Sequence, residues 1–435
     1  MAHGVKPGAP RVGIIGGGWA GLACAVRLTQ AGAEVTVFEA APTLGGRARG
    51  LMLDGRQLDN GQHILIGAYT ETLTMLATVG VAVDDALLRL PLELHFPGEL
   101  KLKAPRLPAP FHTLWALLAA QGLGWHEKFA AARFMGHLAW RGLGFSNGFA
   151  TDTTVRALLS ATAQPERLVR LVWEPLCVAA LNTPIEEASA RCFAAVLNDA
   201  LTGRRAHSDL LLARTDLGAL FPQPAARWLS RRGAQIHTDT RITHIASHDT
   251  GIRLGASGLE ADFDKVVVAT APHHAAKLLN GLADTRALEG LTYEPILTCY
   301  LQYASSMRLA APMVGVDGGT AQWLFDRGQI TQQPGLIAAI ISARGQHLAL
   351  DKNQLVERIH DDICRTGGPT PAPIWHQVIT EKRATHACRA HSAQPAMQTT
   401  LPGLYLCGDY LDPRYPATLE AACRSANQLA RLLTP

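Results

Sequence analysis

The sequence predicts an α/β fold in which separated pieces of the chain build one parallel sheet. Residues 11–39 run in the order strand, glycine-rich turn, helix and strand. A buried strand is predicted at 265–269, and a short strand followed by a helix is predicted within 403–433. Strands that alternate with helices in this way are typical of a parallel sheet with helices on its faces.

These observations divide the chain into two interleaved domains. The parallel-sheet domain is predicted to consist of segments 1–90, 205–290 and 395–435. The remaining segments, 91–204 and 291–394, are predicted to form a second, α+β domain. A chain of 435 residues is long enough for each domain to bury a core of its own.

The turn after the first strand reads Gly16-x-Gly18-x-x-Gly21. In a strand–turn–helix unit, the first glycine allows the tight turn, the second lets the backbone approach a pyrophosphate, and the third permits close helix–strand packing. Glu39 ends the second strand, 18 residues after Gly21, where a carboxylate accepts hydrogen bonds from ribose hydroxyls and disfavours a 2′-phosphate. The pattern predicts a dinucleotide site; the alternative is a glycine-rich turn in an ordinary α/β core.

Two segments favour FAD over a nicotinamide cofactor, because they match positions that flavoproteins with this turn use. Gly45-Gly46-Arg47 follows the acidic residue, where the glycines let the chain pass close to the cofactor and Arg47 can face the diphosphate. Ile242 lies where a backbone amide would pair with adenine. The alternative for the first segment is an ordinary loop with an exposed arginine.

The far end of the chain is predicted to close the same site. Gly408-Asp409 ends a short buried strand, and in FAD proteins of this type the carboxylate lies on the ribityl chain. Ala417 and Thr418 lead into a helix whose amino terminus would point at the flavin ring, where the helix dipole stabilises negative charge. The alternative is a capped carboxy-terminal helix without a ligand.

Composition excludes several classes of protein. Apolar residues make up 48% of the chain and charged residues 17%, which is too apolar for a disordered protein. The formal charge of +4, without a Lys/Arg run, argues against nucleic acid as a partner. The eight cysteines form no C-x-x-C pair, which predicts reduced thiols and no metal site. Because no signal peptide or membrane span is recognised, a cytoplasmic location is expected.

Four longer stretches carry a resemblance to a known family. They are LDNGQHILIGAY (58–69), WEPLCVAALNTP (173–184), ASARCFAAVLNDAL (188–201) and EKRATHACRA (381–390). With the glycine turn, they make nearly the whole chain resemble the squalene-associated FAD-dependent desaturase family, the hydroxysqualene dehydroxylases of hopanoid biosynthesis, within the flavin amine oxidase and carotenoid desaturase superfamily. The resemblance implies a Rossmann-type FAD domain with a discontinuous, amine-oxidase-like substrate domain. It also implies that reduced FAD converts hydroxysqualene, a C30 isoprenoid, to squalene with loss of water.

Other features of the sequence qualify this resemblance. The family usually has glycines near Ala421 and Ala426, and alanines there can crowd the flavin. No lysine occurs between Lys277 and Lys352, where amine oxidases commonly place one by the flavin, so amine oxidation is disfavoured. Since there is no second G-x-G-x-x-G, we expect an external electron donor. A polyprene desaturase or oxidase, and a lipid carrier with a structural flavin, are the alternative functions.

The resemblance also indicates which residues face the substrate. In this superfamily, the segment after Arg47 returns along the flavin, so Gly61 would approach the ring while Gln62 and His63 face the substrate. Hydroxide is a poor leaving group unless it is protonated, and an imidazole with a pKa near neutrality suits that step. His63 is therefore the candidate proton donor and Glu174 the second candidate. The alternatives are a histidine bonded to backbone beside the cofactor, and a structural ion pair for Glu174.

The second domain contains an apolar stretch, 111–145, with side chains at helical spacing and basic residues among them. It is interpreted as an entrance that admits the polyprene and touches the inner face of a membrane, or else as an ordinary core helix pair. The strands predicted at 291–303 and 335–343 are interpreted as the floor of a substrate tunnel or as simple sheet core.

Overall fold

This computed structural model describes residues 9–142, 152–415 and 417–434. The strands in chain order are β1 Arg11–Ile15, β2 Glu34–Phe38, β3 Gly50–Leu53, β4 Arg56–Asp59, β5 Ile64–Ile66, β6 Leu87–Leu90, β7 Glu93–Phe96, β8 Leu100–Lys103, β9 Leu210–Ala213, β10 Gln235–His237, β11 His244–His248, β12 Gly251–Ala256, β13 Leu259–Phe263, β14 Lys265–Val268, β15 Tyr293–Gln302, β16 Met313–Gly315, β17 Trp323–Asp326, β18 Leu336–Ser342, β19 Trp375–His386 and β20 Leu404–Leu406.

The helices lie between these strands and on the faces of the sheets. They are α1 Trp19–Gln30, α2 Thr70–Thr78, α3 Val83–Ala86, α4 Phe111–Leu118, α5 Trp125–Gly142, α6 Val155–Ala161, α7 Glu166–Leu168, α8 Glu174–Leu181, α9 Ala190–Leu201, α10 Leu217–Leu220, α11 Pro222–Ser230, α12 Pro272–Leu279, α13 Arg286–Glu289, α14 Arg327–Thr331, α15 Lys352–Gly367 and α16 Leu419–Leu433. A π-helical turn, Val169–Trp173, leads directly into α8.

The first sheet is parallel, in the order β10-β2-β1-β14-β20. Strand β1 pairs with β2 on one side and β14 on the other, and Ile14 lies opposite Val37 and Val267. Its residues are buried from Val12 onward, as expected for a parallel strand covered on both faces. Because parallel strands all end at one edge, the turns that follow β1, β2, β14 and β20 meet there. The predicted α/β class is confirmed.

Helices α1 and α16 pack against each other in one buried core with this sheet. Cys24 of α1 and Ala426 of α16 are fully buried, and such small side chains let two helices approach closely. Helix α16 begins after Thr418, whose hydroxyl accepts a hydrogen bond from the Ala421 backbone N–H at 3.0 Å. The first and last helices of the chain thus belong to the same layer.

The second sheet is antiparallel, in the order β16-β17-β18-β15-β19. Strand β18 alternates between two cores. Its residues Leu336, Ala338 and Ile340 belong to a core with the helices of 111–201, while Ile337, Ala339 and Ile341 pack with α15. The sheet-core interpretation therefore applies to β18, whereas β15 contributes Ile296 to the lining of a cavity described below.

An apolar surface lies on the neighbouring helices α4 and α5. Six large side chains are exposed there, and we call them the apolar patch: Phe111, Leu114, Trp115, Leu118, Trp125 and Phe129. The first four lie at i, i+3, i+4 and i+7, so they share one face of α4. The opposite side of α4 buries Ala116 and Leu117. Helix α4 is therefore apolar on both sides, which a core helix pair does not require.

Candidate functional site

A cavity of about 1030 Å³ opens at the edge where the parallel strands end. Its lining comes from the β1–α1 turn, residues 45–48 and 60–64, the end of α8, residues 240–243 and 269–278, β19, and residues 408–422. Both the parallel and the antiparallel sheet, and both ends of the chain, therefore contribute to it. This is the location at which open α/β sheets bind ligands.

The glycine turn forms one wall of this cavity. Gly16 has φ +112°, and a Cβ atom there would lie 2.7 Å from the Ala269 carbonyl oxygen. A Cβ at Gly21 would lie 1.9 Å from the Gly16 carbonyl oxygen, so Gly21 serves packing and does not line the cavity. At Gly18 the closest atom to such a Cβ is Gly46 Cα at 3.9 Å, which leaves the backbone accessible. A ligand can therefore come close to the main chain at Gly18.

Glu39 is held at the end of β2 by two backbone donors. Its Oε2 accepts from the Gly17 N–H at 2.7 Å, and its Oε1 accepts from the Ala41 N–H at 2.8 Å. The carboxylate lines the cavity and keeps lone pairs for further donors. Ile242 is buried and lines the same region, where its backbone was expected to meet a base.

The two ends of the chain are joined at the cavity by an ion pair. Arg47 Nη2 lies 2.7 and 2.8 Å from the two carboxylate oxygens of Asp409, and Arg47 Nη1 donates to the Ala384 carbonyl at 2.8 Å. Burial opposes the charge on Arg47, but Asp409 raises the pKa of the guanidinium. The sequence predicted that Arg47 can face the diphosphate; in the structure its ion-pair partner is Asp409.

The residues before α16 are fixed by the backbone. The Gly408 N–H donates to the Ser425 hydroxyl at 2.9 Å, which ties the end of β20 to α16. Ala417 has φ +62°, and its N–H donates to the Asp409 carbonyl at 3.1 Å. Gly408, Asp409, Ala417 and Thr418 all line the cavity. The helix terminus at Thr418 therefore faces the cavity, whereas Ala421 and Ala426 are not among the lining residues.

Gln62 and His63 line the cavity beside Gly61. His63 Nδ1 lies 2.8 Å from the Gly61 carbonyl oxygen. A carbonyl can only accept, so Nδ1 carries the proton and Nε2 is the nitrogen left for other partners. Burial lowers the pKa of His63, and the charge of Arg47 lowers it further. The hydrogen bond to the Gly61 carbonyl raises this pKa, but the net shift is downward. The neutral imidazole is therefore favoured in the absence of an added negative charge.

A buried network that the sequence did not reveal holds this loop. The Asp59 carboxylate accepts from the Leu217 N–H at 2.8 Å and forms an ion pair with Arg327 at 3.2 Å. The Tyr300 hydroxyl bonds both the N–H and the carbonyl of Asp59, at 3.3 and 3.1 Å. Arg327 Nη1 also lies 2.9 Å from Gln62 Oε1. The position of the loop is thus set by side chains of β15 and α14.

Glu174 is placed differently from the expectation. It is half-buried at the start of α8 and is not among the residues that line the cavity, so the structure does not support a proton-donor role. Burial and the nearby Glu186 raise the pKa of its carboxyl. The lining from α8 comes instead from its carboxyl end, which the side chain of Asn182 ties to Thr385 at 2.9 Å.

The sequence also did not reveal a group of exposed cations in the cavity lining. Arg241, Lys277, Lys382 and Arg383 line the cavity, and none of them forms an ion pair with a carboxylate of a described residue. Burial and the surrounding cations lower the pKa of His273 to about 4, so it is neutral at neutral pH. Cations outnumber carboxylates in the lining, which suits a ligand with a diphosphate. Scattered over a loop, a helix and a strand, these residues form no motif in the sequence.

Comparison with known proteins agrees with this geometry. The family described as flavin containing amine oxidoreductase matches residues 19–434. The hydroxysqualene dehydroxylase of Rhodopseudomonas palustris is 30% identical over 97% of this chain and 98% of its own. That of Zymomonas mobilis is 29% identical over 96% of this chain and 98% of its own. A 15-cis-phytoene desaturase of Glycine max is 24% identical over 97% of this chain and 78% of its own.

A solved structure shows the same fold. Cyclohexylamine oxidase from Brevibacterium oxydans superposes with a TM-score of 0.74 over 98% of this chain and 99% of its own, at 15% identity. The amine-oxidase-like fold predicted from the sequence is therefore confirmed. The chain belongs to the flavin-containing amine oxidoreductase family, and within it to the group of the hydroxysqualene dehydroxylases.

Proposed function

We propose that this oxidoreductase binds FAD and reductively dehydroxylates hydroxysqualene to squalene, in squalene and hopanoid biosynthesis. The relatives with this activity in their names match almost the full chain, whereas the desaturase is more distant. The observation that carries the proposal is the pair Gln62 and His63, which brings two polar side chains to the same cavity that the glycine turn lines.

The residues present fit FAD. Glu39 suits a ribose, the open backbone at Gly18 suits a diphosphate, and Ile242 suits an adenine. Asp409 and the amino terminus of α16 would hold the ribityl chain and the ring. When bound and reduced, the flavin supplies the hydride and, in net balance, the proton that turn a carbon–oxygen bond into a carbon–hydrogen bond and water. An external donor must then reduce it again.

His63 is the residue that we propose to protonate the leaving hydroxyl. Its Nδ1 is occupied by the Gly61 carbonyl, so transfer takes place at Nε2. The apolar side chains of Ile64 and Ile296 line the same cavity and would limit the access of water to an allylic cation. Gln62 lies beside His63 and can donate a hydrogen bond to the same oxygen.

The reaction is tested with the reduced protein under anaerobic conditions. We expect stoichiometric squalene, identified by mass, together with reoxidation of the flavin when hydroxysqualene is added. Desaturated products formed by the oxidised protein would support the polyprene desaturase alternative instead. A purified chain that is colourless and does not take up FAD in a titration would overturn the proposal as a whole.

We also propose that the apolar patch rests on a lipid bilayer. Exposed Trp and Phe side chains together with Lys and Arg are typical of interfacial helices, and Lys128 lies 5.2 Å from the Trp125 ring. Within the described ranges, no helix has the length and apolar character needed to cross a membrane. A C30 alcohol partitions into bilayers, so a protein that rests on the surface meets its substrate there.

Vesicle binding tests this contact. Trp115→Ala combined with Trp125→Ala should reduce co-sedimentation with anionic phospholipid vesicles, because both side chains are more than half exposed. Exposed Ile374, which directly precedes β19 and does not belong to the patch, provides the control Ile374→Ala, which should bind vesicles like the parent. Equal binding by all three proteins would contradict the contact.

A further inference from the structure

Arg327 is a buried cation with an unusual set of partners. Its side chain is 2% exposed, and its Nη1 lies 3.2 Å from Asp59 Oδ2 and 2.9 Å from Gln62 Oε1. Its Nε donates to Gln333 Oε1 at 3.0 Å. A buried guanidinium is stable only when its N–H groups find acceptors. The amide oxygen of Gln62 is one of those acceptors, although Gln62 also lines the cavity.

This contact determines which end of the amide faces the cavity. A guanidinium has donors and no acceptor, so the atom of Gln62 that it meets must be the oxygen. The amide nitrogen then remains for other partners, and its contact to the His63 carbonyl is 3.4 Å, which is long for a hydrogen bond. Gln62 therefore has donor capacity left on the side away from Arg327.

The neighbouring imidazole is fixed in the complementary sense. Because Nδ1 of His63 is engaged with the Gly61 carbonyl, its neutral form has the lone pair on Nε2. An alcohol needs one donor to its oxygen and one acceptor for its hydrogen. The neutral Nε2 would accept a hydrogen bond from the substrate hydroxyl. Once the imidazole is protonated, Nε2–H would donate to the hydroxyl oxygen instead, as proton transfer to that oxygen requires.

We infer that Arg327 is a positioning residue that orients the Gln62 amide, so that Gln62 and His63 together form a receptor for the substrate hydroxyl. This inference rests on the proposed function and extends it to selectivity between substrate and product. The hydrocarbon product has no group for either side chain, so bound squalene leaves both without a partner. Sites built to hydrogen-bond a hydroxyl reject analogues that lack it, so product is released in favour of substrate.

Selectivity is measured on the oxidised flavoprotein, where no turnover occurs. Hydroxysqualene and squalene are titrated in detergent, and the change in flavin absorbance reports each affinity. We expect the parent to prefer the alcohol, and Gln62→Leu to reduce that preference roughly ten- to a hundredfold while squalene affinity is kept. The pair Arg327→Met with Asp59→Asn, which removes both buried charges, should have the same effect.

The role of Arg327 is separated from a general structural role by two comparisons. In a Gln62→Leu background, Arg327→Met with Asp59→Asn should cause no further loss of preference, because the amide it orients is gone. Arg344→Met breaks the ion pair with buried Glu294 outside the cavity lining and should leave the preference unchanged. An Arg327 and Asp59 variant that binds FAD and keeps the parental preference would overturn the inference.

A second variant tests the inference if the Arg327→Met, Asp59→Asn protein does not fold. Gln62→Glu keeps an oxygen for Arg327 but offers an acceptor in place of the N–H donor, so it too should lose the preference for the alcohol; retention would equally overturn the inference. Failure of the proposed function looks different. In that case, the parent protein itself forms no squalene from hydroxysqualene, whatever its Arg327 variants do.

Discussion

The two walls of the cavity are built in different ways. The glycine wall, formed by Gly16, Gly18, Gly45 and Gly46, exposes main chain, and its shape follows from which side chains are missing. A second wall, the side-chain wall, carries Gln62 and His63 on a loop whose Asp59 and Gln62 both contact Arg327. The first wall is encoded within residues 16–46, whereas the second depends on an ion pair 268 positions apart in the chain. A surface of exposed main chain can therefore be local in sequence while a surface of polar side chains in the same cavity is not.

The largest expected effect separates chemistry from binding. His63→Ala should lower the rate of squalene formation by roughly 10²- to 10⁴-fold, because the proposed proton donor is lost, while FAD affinity stays close to that of the parent. Single-turnover kinetics of the reduced protein and an FAD titration measure the two quantities. Full activity in a His63→Ala protein that retains FAD would show that His63 is not the proton donor.

The second prediction concerns the support of the side-chain wall. Asp59→Ala leaves Arg327 buried without its carboxylate, and breaking a buried pair in this way costs about 3–5 kcal/mol of unfolding free energy. Denaturant unfolding measures the loss. Glu166→Ala breaks the more exposed pair with Arg156 and is the matched control, expected to leave stability nearly unchanged. Similar losses of unfolding free energy in both variants would show that the buried pair stabilises the fold no more than the exposed pair does.

A single methyl group at Gly21 should disrupt the packing that supports the glycine wall. Gly21→Ala would place Cβ against the Gly16 carbonyl, so we expect a loss of roughly 1–3 kcal/mol together with weaker FAD binding. Gly136→Ala in α5 is the control, since a Cβ there meets no atom within 4 Å and alanine favours a helix. If Gly21→Ala binds FAD like the control, close packing at this turn is not what shapes the site.

The smallest effect is a change in pH dependence. Burial lowers the pKa of His63 below its ordinary value of about 6.5. Since we propose the protonated imidazole as the donor, the single-turnover rate should fall as pH rises through that lowered pKa. The rate profile of His63→Ala should lack this step. A parental rate that rises with pH over the same range would contradict the assignment.

The sequence predicted the local parts of this site and missed the distant ones. The glycines, Glu39, Arg47, Asp409 and Thr418 lie in short motifs, and all but Gly21 line the cavity. Arg327 lies in the stretch LFDRGQI, where an arginine after a strand has the pattern of a surface turn. Its burial depends on Asp59, Gln62 and Gln333, and such tertiary contacts leave no periodic signal.

The sequence also did not reveal that Glu174 lies outside the cavity lining. Its place in a quoted stretch of 12 residues, 173–184, did not indicate which part of the helix faces inward. In the structure the end of α8 lines the cavity and its beginning does not. For α4 the sequence left two interpretations open, because apolar side chains at helical spacing fit either a buried or an exposed helix face. The observed exposure of Phe111 and Trp115 shows that this face is exposed.

The strand order β10-β2-β1-β14-β20 has a consequence for biosynthesis. During translation, β1 and β2 emerge more than 200 residues before the β14 strand that pairs with β1, and Asp409 emerges later still. The nascent polypeptide therefore carries an unpaired strand edge for many seconds at ordinary elongation speeds. Cofactor loading must wait until nearly all of the chain has left the ribosome, so premature termination anywhere before α16 yields a product that chaperones or proteases must handle.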